Sequence, residues 1–144
     1  MNVPVLIARL AGKRIAIPAK RIESIVDIDH VTPVPQAPAH VEGLSTLRSQ
    51  TLTVINCTRV VDETNPALAG GGARAAVVMV GGHGYALMLD SVEDVVLALT
   101  EPEDVLGGVG ASWTPVALGM IETESGAALL VEVERFINTP ALAG

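Results

Sequence analysis

Aromatic side chains are nearly missing from this chain. Its 144 residues include one Phe, one Tyr and one Trp, although 49% of all residues are apolar. A core must therefore be assembled from Val, Ile, Leu and Ala, and a composition rich in Val and Ile suits strands better than helices. Cysteine is scarce too. Cys57 stands alone, which excludes an internal disulfide and fits a reducing compartment. No apolar run approaches the roughly 20 residues of a membrane helix. The run at 3–8 is cut off by Arg9, with no small-residue cleavage site behind a long apolar region. The expectation is a soluble cytoplasmic protein that does not insert into membranes. Basic residues are also few: 9 Lys/Arg stand against 16 Asp/Glu, a net charge of −7. Nothing here would neutralise a phosphate backbone, so nucleic-acid binding is excluded.

The charge that is present is unevenly placed. Residues 1–74 carry eight Lys/Arg and six Asp/Glu, whereas residues 75–144 carry one Lys/Arg and ten Asp/Glu. Two differently solvated faces would explain this; so would a weakly basic end and an acidic end suited to head-to-tail association. At this length the chain is one compact domain or two small modules sharing a core.

The organising stretch is 32–61, TPVPQAPAHVEGLSTLRSQTLTVINCTRVV. Pro33, Pro35 and Pro38 cannot donate to a ladder and hold the chain extended, as in a connector along a sheet edge. Strands are expected at 43–47 and 52–57 around a polar turn at 48–51. In the second of them Leu52 and Val54, with Asn56 as a further candidate, face one way, and Thr53, Ile55 and Cys57 the other. Before this stretch, strands are read at 3–10 and 15–18, 19–26 fits either a helical turn or a strand, and 27–30 reads as a turn. Residues 62–74, DETNPALAGGGAR, are polar and then glycine-rich without periodicity, and read as a linker.

Beyond the linker the pattern begins again, with strands at 75–80 and 85–89. A displacement of 70 places Gly12 on Gly82, Ala16 on Ala86, Ile22 on Val92 and Val26 on Val96. A displacement of 76 places Gly43 on Gly119, Ile55 on Val131 and Arg59 on Arg135, so 115–133 repeats the central hairpin with its turn at 122–126. We read a duplication: residues 1–61 as a first barrel module, 62–74 as linker and 75–144 as a second barrel module. Many short strands separated by glycine turns point to small barrels with little helix. A module of about 70 residues buries only a thin core, so the two should pack together.

The search for catalytic chemistry is largely negative. A G-x-S-x-G elbow fails because Leu47 stands where glycine is needed, and the strand–turn–helix context is missing. Gly70–Gly72 precedes a strand and opens no helix, so it cannot cradle a phosphate. His30, His40 and His83 show no ligand spacing with one another or with Cys57. Cys57 reads as a buried small hydrophobe, and Trp113 as either a core plug or an interface anchor. No catalytic residue, metal or cofactor is expected.

The order of elements, not any single motif, carries a resemblance. LIARLAGKRIAIPAKRIESIVDIDHVTPVPQAPAHVEGLSTLRSQTLTVINCTRVV resembles the first half of the CheW-like chemotaxis coupling proteins, and RAAVVMVGGHGYALMLDSVEDVVLAL resembles their second half. The family pattern runs from a strand–turn–strand through V-x-E-I and P-x-x-P-x-x-V-x-G to an N-L-R-G hairpin and P-V-i-D-L. Here the hairpin reads Thr46-Leu47-Arg48-Ser49, the proline and aspartate positions hold Thr53 and Asn56, and the family's Y-x-x-G region is replaced by SWTPVAL at 112–118.

The resemblance implies two interlocked SH3-like five-stranded β-barrels and a non-enzymatic adaptor. Its partners would be the regulatory domain of a CheA-type histidine kinase and the cytoplasmic tip of a chemoreceptor. Ile22, Ser24, Val41, Gly43 and Arg48 match positions where the family meets the receptor or shapes the groove between its barrels. Plain core packing would equally account for Ile22 and Val41, and a bulge or turn for Gly43. The competing class is a small β-barrel enzyme or ligand-binding protein, which would need a pocket with convergent titratable groups.

Overall fold

The computed structural model describes residues 2–61, 73–105, 108, 110–111 and 113–138. Ten strands follow one another: β1 (Val3–Leu10), β2 (Lys13–Pro18), β3 (Ser24–Ile28), β4 (Val41–Leu47), β5 (Gln50–Asn56), β6 (Ala73–Val80), β7 (His83–Met88), β8 (Ser91–Ala98), β9 (Ala117–Thr123) and β10 (Gly126–Val131). Among the described residues, helix is confined to α1 (Cys57–Val61), α2 (Val133–Ile137) and a 3-10 turn at Ala19–Arg21.

The strands form two five-stranded sheets. One closes into a barrel in the order β1-β2-β10-β9-β8; the other is an open sheet in the order β3-β6-β7-β5-β4. The mainly β, two-unit expectation therefore stands, with one unit closed and one open. The assignment of 1–61 to one barrel and 75–144 to the other does not survive the strand pairing. Each sheet takes the first hairpin of one repeat and the last three strands of the other. The division near 62–74 separates the repeats, not the sheets; residues 62–72 lie outside those described.

The duplication itself is kept to the residue. Val54 lies opposite Ala86 in β7, just as Leu130 lies opposite Ala16 in β2. Gly43 pairs with Val54, and Gly119 with Leu130, each beside a bulge. These two cross-repeat contacts are the parallel pairs, β2 with β10 and β5 with β7. The β1–β2 and β6–β7 hairpins turn through Ala11–Gly12 and Gly81–Gly82, all four at positive φ, the backbone that a two-residue turn between right-twisted strands requires.

Swapping hairpins gives most strands two buried faces. Val5, Ile7, Ala16, Ala128 and Leu130 fill the closed barrel, and Leu52, Val54, Ala75, Val77, Ala86 and Met88 cluster on one face of the open sheet. The alternate residues, among them Leu10, Ile15, Ile17, Ile55, Val78, Leu87 and Leu129, pack between the sheets in a third, larger core. Strands covered on both faces read as continuous apolar runs instead of alternating ones. Each fully buried aliphatic contributes about 1.5–3 kcal/mol of transfer energy. Phe136 and Trp113 both lie in the third core, with Tyr85 packed against it. Trp113 is thus a core plug, with Lys13 Nζ 5.8 Å from its ring centre.

Several element bounds differ from expectation, β2, β5 and β7 each beginning two residues early, and three differences matter more. β3 runs to Ile28, so the turn begins after it; β6 begins at Ala73; and the segment after β5 is the short helix α1, not strand. The Asn56 side chain explains the last, its Oδ1 accepting the Arg59 amide at 3.3 Å and so satisfying an unpaired donor at the helix start.

Candidate partner-binding surface

Polar contacts at the margin of the third core tie the two repeats together. The Ala19–Arg21 turn follows β2 directly and aims Arg21 at the second repeat. Its Nη1 donates to Glu132 Oε1 at 3.2 Å and its Nη2 to Glu134 Oε1 at 3.0 Å. His40 supplies a second tie. It is buried, its Nε2 donates to the Ile137 carbonyl at 3.0 Å at the end of α2, and its own carbonyl accepts the Asn56 amide at 2.8 Å.

Ile22 and Val41 follow Arg21 and His40 in the chain and both lie half-buried against the third core. The structure thus brings these two positions to the sheet junction. Ser24 begins β3 opposite Val77 and is half-buried. Gly43 sits inside β4 at φ +148°, where a Cβ would collide with the Thr32 carbonyl. Arg48 is exposed at φ +50° in the β4–β5 turn and makes no ion pair among the described residues. It lies seven positions beyond Val41, roughly 23 Å at the rise of an extended chain. The five positions therefore form no single pocket; they run from the junction along β4 to its hairpin tip.

Chemistry of other kinds finds little support. Burial pushes the Cys57 thiol far above its usual range, and the charge of Asp90 pushes it further, so at neutral pH it is a protonated apolar filler. Among the described residues no three His, Cys, Asp or Glu side chains are grouped to hold a metal ion. No helix among them is long and apolar enough to cross a membrane.

Comparison with known proteins decides the family. The family model described as "CheW-like domain" matches residues 4–141, nearly the whole chain. The chain belongs to the CheW-like family. No curated protein matches it. Among solved structures, the scaffolding protein TtCheW from Thermoanaerobacter tengcongensis has the same fold. It aligns with a TM-score of 0.76 at 17% identity, over 97% of this chain and 95% of that one.

The departures of this CheW-like chain from the family pattern now have places. Thr46 lies near the end of β4 opposite Thr51, and Ser49 occupies the hairpin turn at φ +67°. Thr53 lies between Leu44 and Tyr85 in the open sheet. Asn56, where the pattern has aspartate, keeps an oxygen for the start of α1 while its Nδ2 donates to Glu42 Oε1 at 3.0 Å. The Arg21 and His40 ties were not foreseen. They join residues about a hundred positions apart, and no local pattern marks them.

Proposed function

We propose that this CheW-like protein is a cytoplasmic, non-enzymatic scaffold that couples chemoreceptor tips to a CheA-type histidine kinase in chemotaxis signalling. The observation that carries the reading is the family match across residues 4–141. Two features of the chain support it. The junction between the sheets presents half-buried Ile22 and Val41, an apolar strip of the kind a receptor helix could lay its own stripe against. The lone thiol, Cys57, is sealed in the core, which removes the nucleophile that a competing enzymatic reading would use first.

The test is reconstitution. The purified chain, a CheA-type kinase and a receptor cytoplasmic fragment should form a ternary complex, and kinase autophosphorylation should rise only when the chain is present. A chain that binds neither partner, or kinase activity indifferent to it, overturns the reading.

A further inference from the structure

The two repeats close their sheets differently. In the barrel, β8 meets β9 through Ala98 opposite Thr123. The Leu99 amide donates to the Glu122 carbonyl at 2.7 Å and the Glu124 amide to the Leu97 carbonyl at 3.0 Å. Side chains finish the seal: Thr100 Oγ1 accepts the Glu122 amide at 3.0 Å, and Glu124 Oε1 accepts the Leu97 amide at 2.8 Å.

The corresponding seam in the other sheet lies between β3 and β4, and it is not zipped. By the same displacements Leu97 and Leu99 become Asp27 and Asp29, while Glu122 and Glu124 become Thr46 and Arg48. β3 and β4 are the two edges of the sheet. Among the described residues, the Thr32–Leu44 bridge draws the β4 edge in, while β3 itself has no ladder partner but β6. A cleft of about 460 Å³ occupies the rest, lined by Asp27, Ile28, Asp29, Thr46 and Leu47 among others. The sequence explains the opening. Where Glu124 offers a carboxylate to a strand amide, Arg48 has donors alone and cannot accept. An unpaired strand edge is a template for an added strand.

We propose that the open seam between β3 and β4 receives a short extended segment of a partner protein, bearing a lysine or arginine, as an added strand. Main-chain bonds supply the affinity, as in other strand-addition complexes. The charge of the lining selects the occupant. Asp29 is exposed without an ion pair among the described residues, and Asp27 holds Arg74 in an exposed pair at 3.2 Å that an incoming cation can replace. The proposal does not rest on the coupling function.

Backbone hydrogen exchange on the full chain tests it, with no receptor or kinase present. The probe is a synthetic pentapeptide, acetyl-Thr-Val-Lys-Val-Thr-amide, at millimolar concentration, beside a twin N-methylated at alternate amides. In the free protein the amides of Asp27, Asp29, Thr46 and Arg48 should exchange fast while those of Leu97, Leu99, Glu122 and Glu124 are protected. The peptide should slow at least one amide on each edge by about tenfold, and the methylated twin should not. Arg48→Glu restores the acceptor, so it should protect the Asp27 amide unaided and exclude the peptide. The proposal is overturned if these amides are already protected, if peptide and twin act alike or not at all, or if protection grows with protein concentration alone, which would make a second copy the occupant.

Discussion

Thr32 and Leu44 hold each other twice, the amide of Thr32 donating to the Leu44 carbonyl at 2.8 Å and the amide of Leu44 to the Thr32 carbonyl at 2.9 Å. The second repeat has the same device, Glu103 with Met120 at 3.0 and 2.8 Å. Beside each bridge stands a glycine, Gly43 or Gly119, at a φ that side chains rarely adopt and with a partner carbonyl where a Cβ would go. Gly43→Ala should therefore cost about 2–3 kcal/mol from backbone strain and collision. In a chain of this size that lowers Tm by several degrees. Urea melts of the variant and wild type check it, and equal midpoints would sink the account.

Arg21 should matter less than its two carboxylate contacts suggest. It and its partners Glu132 and Glu134 stay partly exposed, so each pair gains little over hydration. Arg21→Met, which keeps the apolar stem, should cost at most about 1 kcal/mol at low salt. The difference should shrink as salt is added. A penalty that is large and indifferent to salt would mean that the directed hydrogen bonds of the guanidinium to Glu132 and Glu134, not its charge, hold the repeats together.

Much of this fold was legible because strands announce themselves locally. The 70- and 76-residue displacements, seen first in Gly12, Ala16, Gly43 and Ile55, turn out to be the register of the pairing itself. Periodicity also placed Leu52 and Val54 on one face and Ile55 on the other. What it could not reveal is which copy of a repeated strand pairs with which. β2 meets β10 with the same register that β5 and β7 share, so swapped and unswapped sheets demand the same residues. The helix at Cys57–Val61 was missed because five β-branched-rich residues carry no helical period; its cue was Asn56, read as a strand residue. Of the candidate site, Ile22 and Val41 were placed at the junction by resemblance; His40 was weighed only as a metal ligand, and Arg21 was not marked. Their partners lie in the other repeat.

Cys57 makes the folded state sensitive to alkali. Its folded pKa is raised above the ordinary 9.0 by burial and then by Asp90. The folded chain thus holds a proton that the unfolded chain gives up. The resulting stability is fully present below the ordinary value and is lost as pH rises above it, at up to about 1.4 kcal/mol per pH unit. Cys57→Ala should flatten that slope. Denaturant midpoints measured across the alkaline range for both proteins check this, and parallel curves would rule it out.

The β4–β5 turn carries strain that one substitution should relieve. Arg48 and Ser49 lie at φ +50° and +67°, the two positions a type I′ turn sets at positive φ. Ser49→Gly removes a Cβ penalty of about 1–2 kcal/mol and returns part of it as unfolded-state entropy. A net gain of about 0.5 kcal/mol should appear as a small upward shift in Tm. A lower Tm would show that the serine side chain contributes to the turn.

Arg48 itself should act on binding, not on stability. It is exposed at the hairpin tip and makes no ion pair among the described residues, so truncating it removes no folded-state contact of consequence. A surface arginine of that kind changes stability by less than about 0.5 kcal/mol. Its guanidinium nonetheless presents five donors in a plane, suited to a carboxylate or to the carbonyls at a helix end, and lysine cannot reproduce that pairing. We therefore expect Arg48→Ala to leave Tm nearly unchanged while weakening the receptor-tip complex by about 2 kcal/mol, the scale of an interface hot spot. Arg48→Lys should recover part of the loss. Titration of wild type and both variants against a receptor cytoplasmic fragment separates the outcomes: three equal affinities would leave Arg48 a solvated turn residue with no share in that interface.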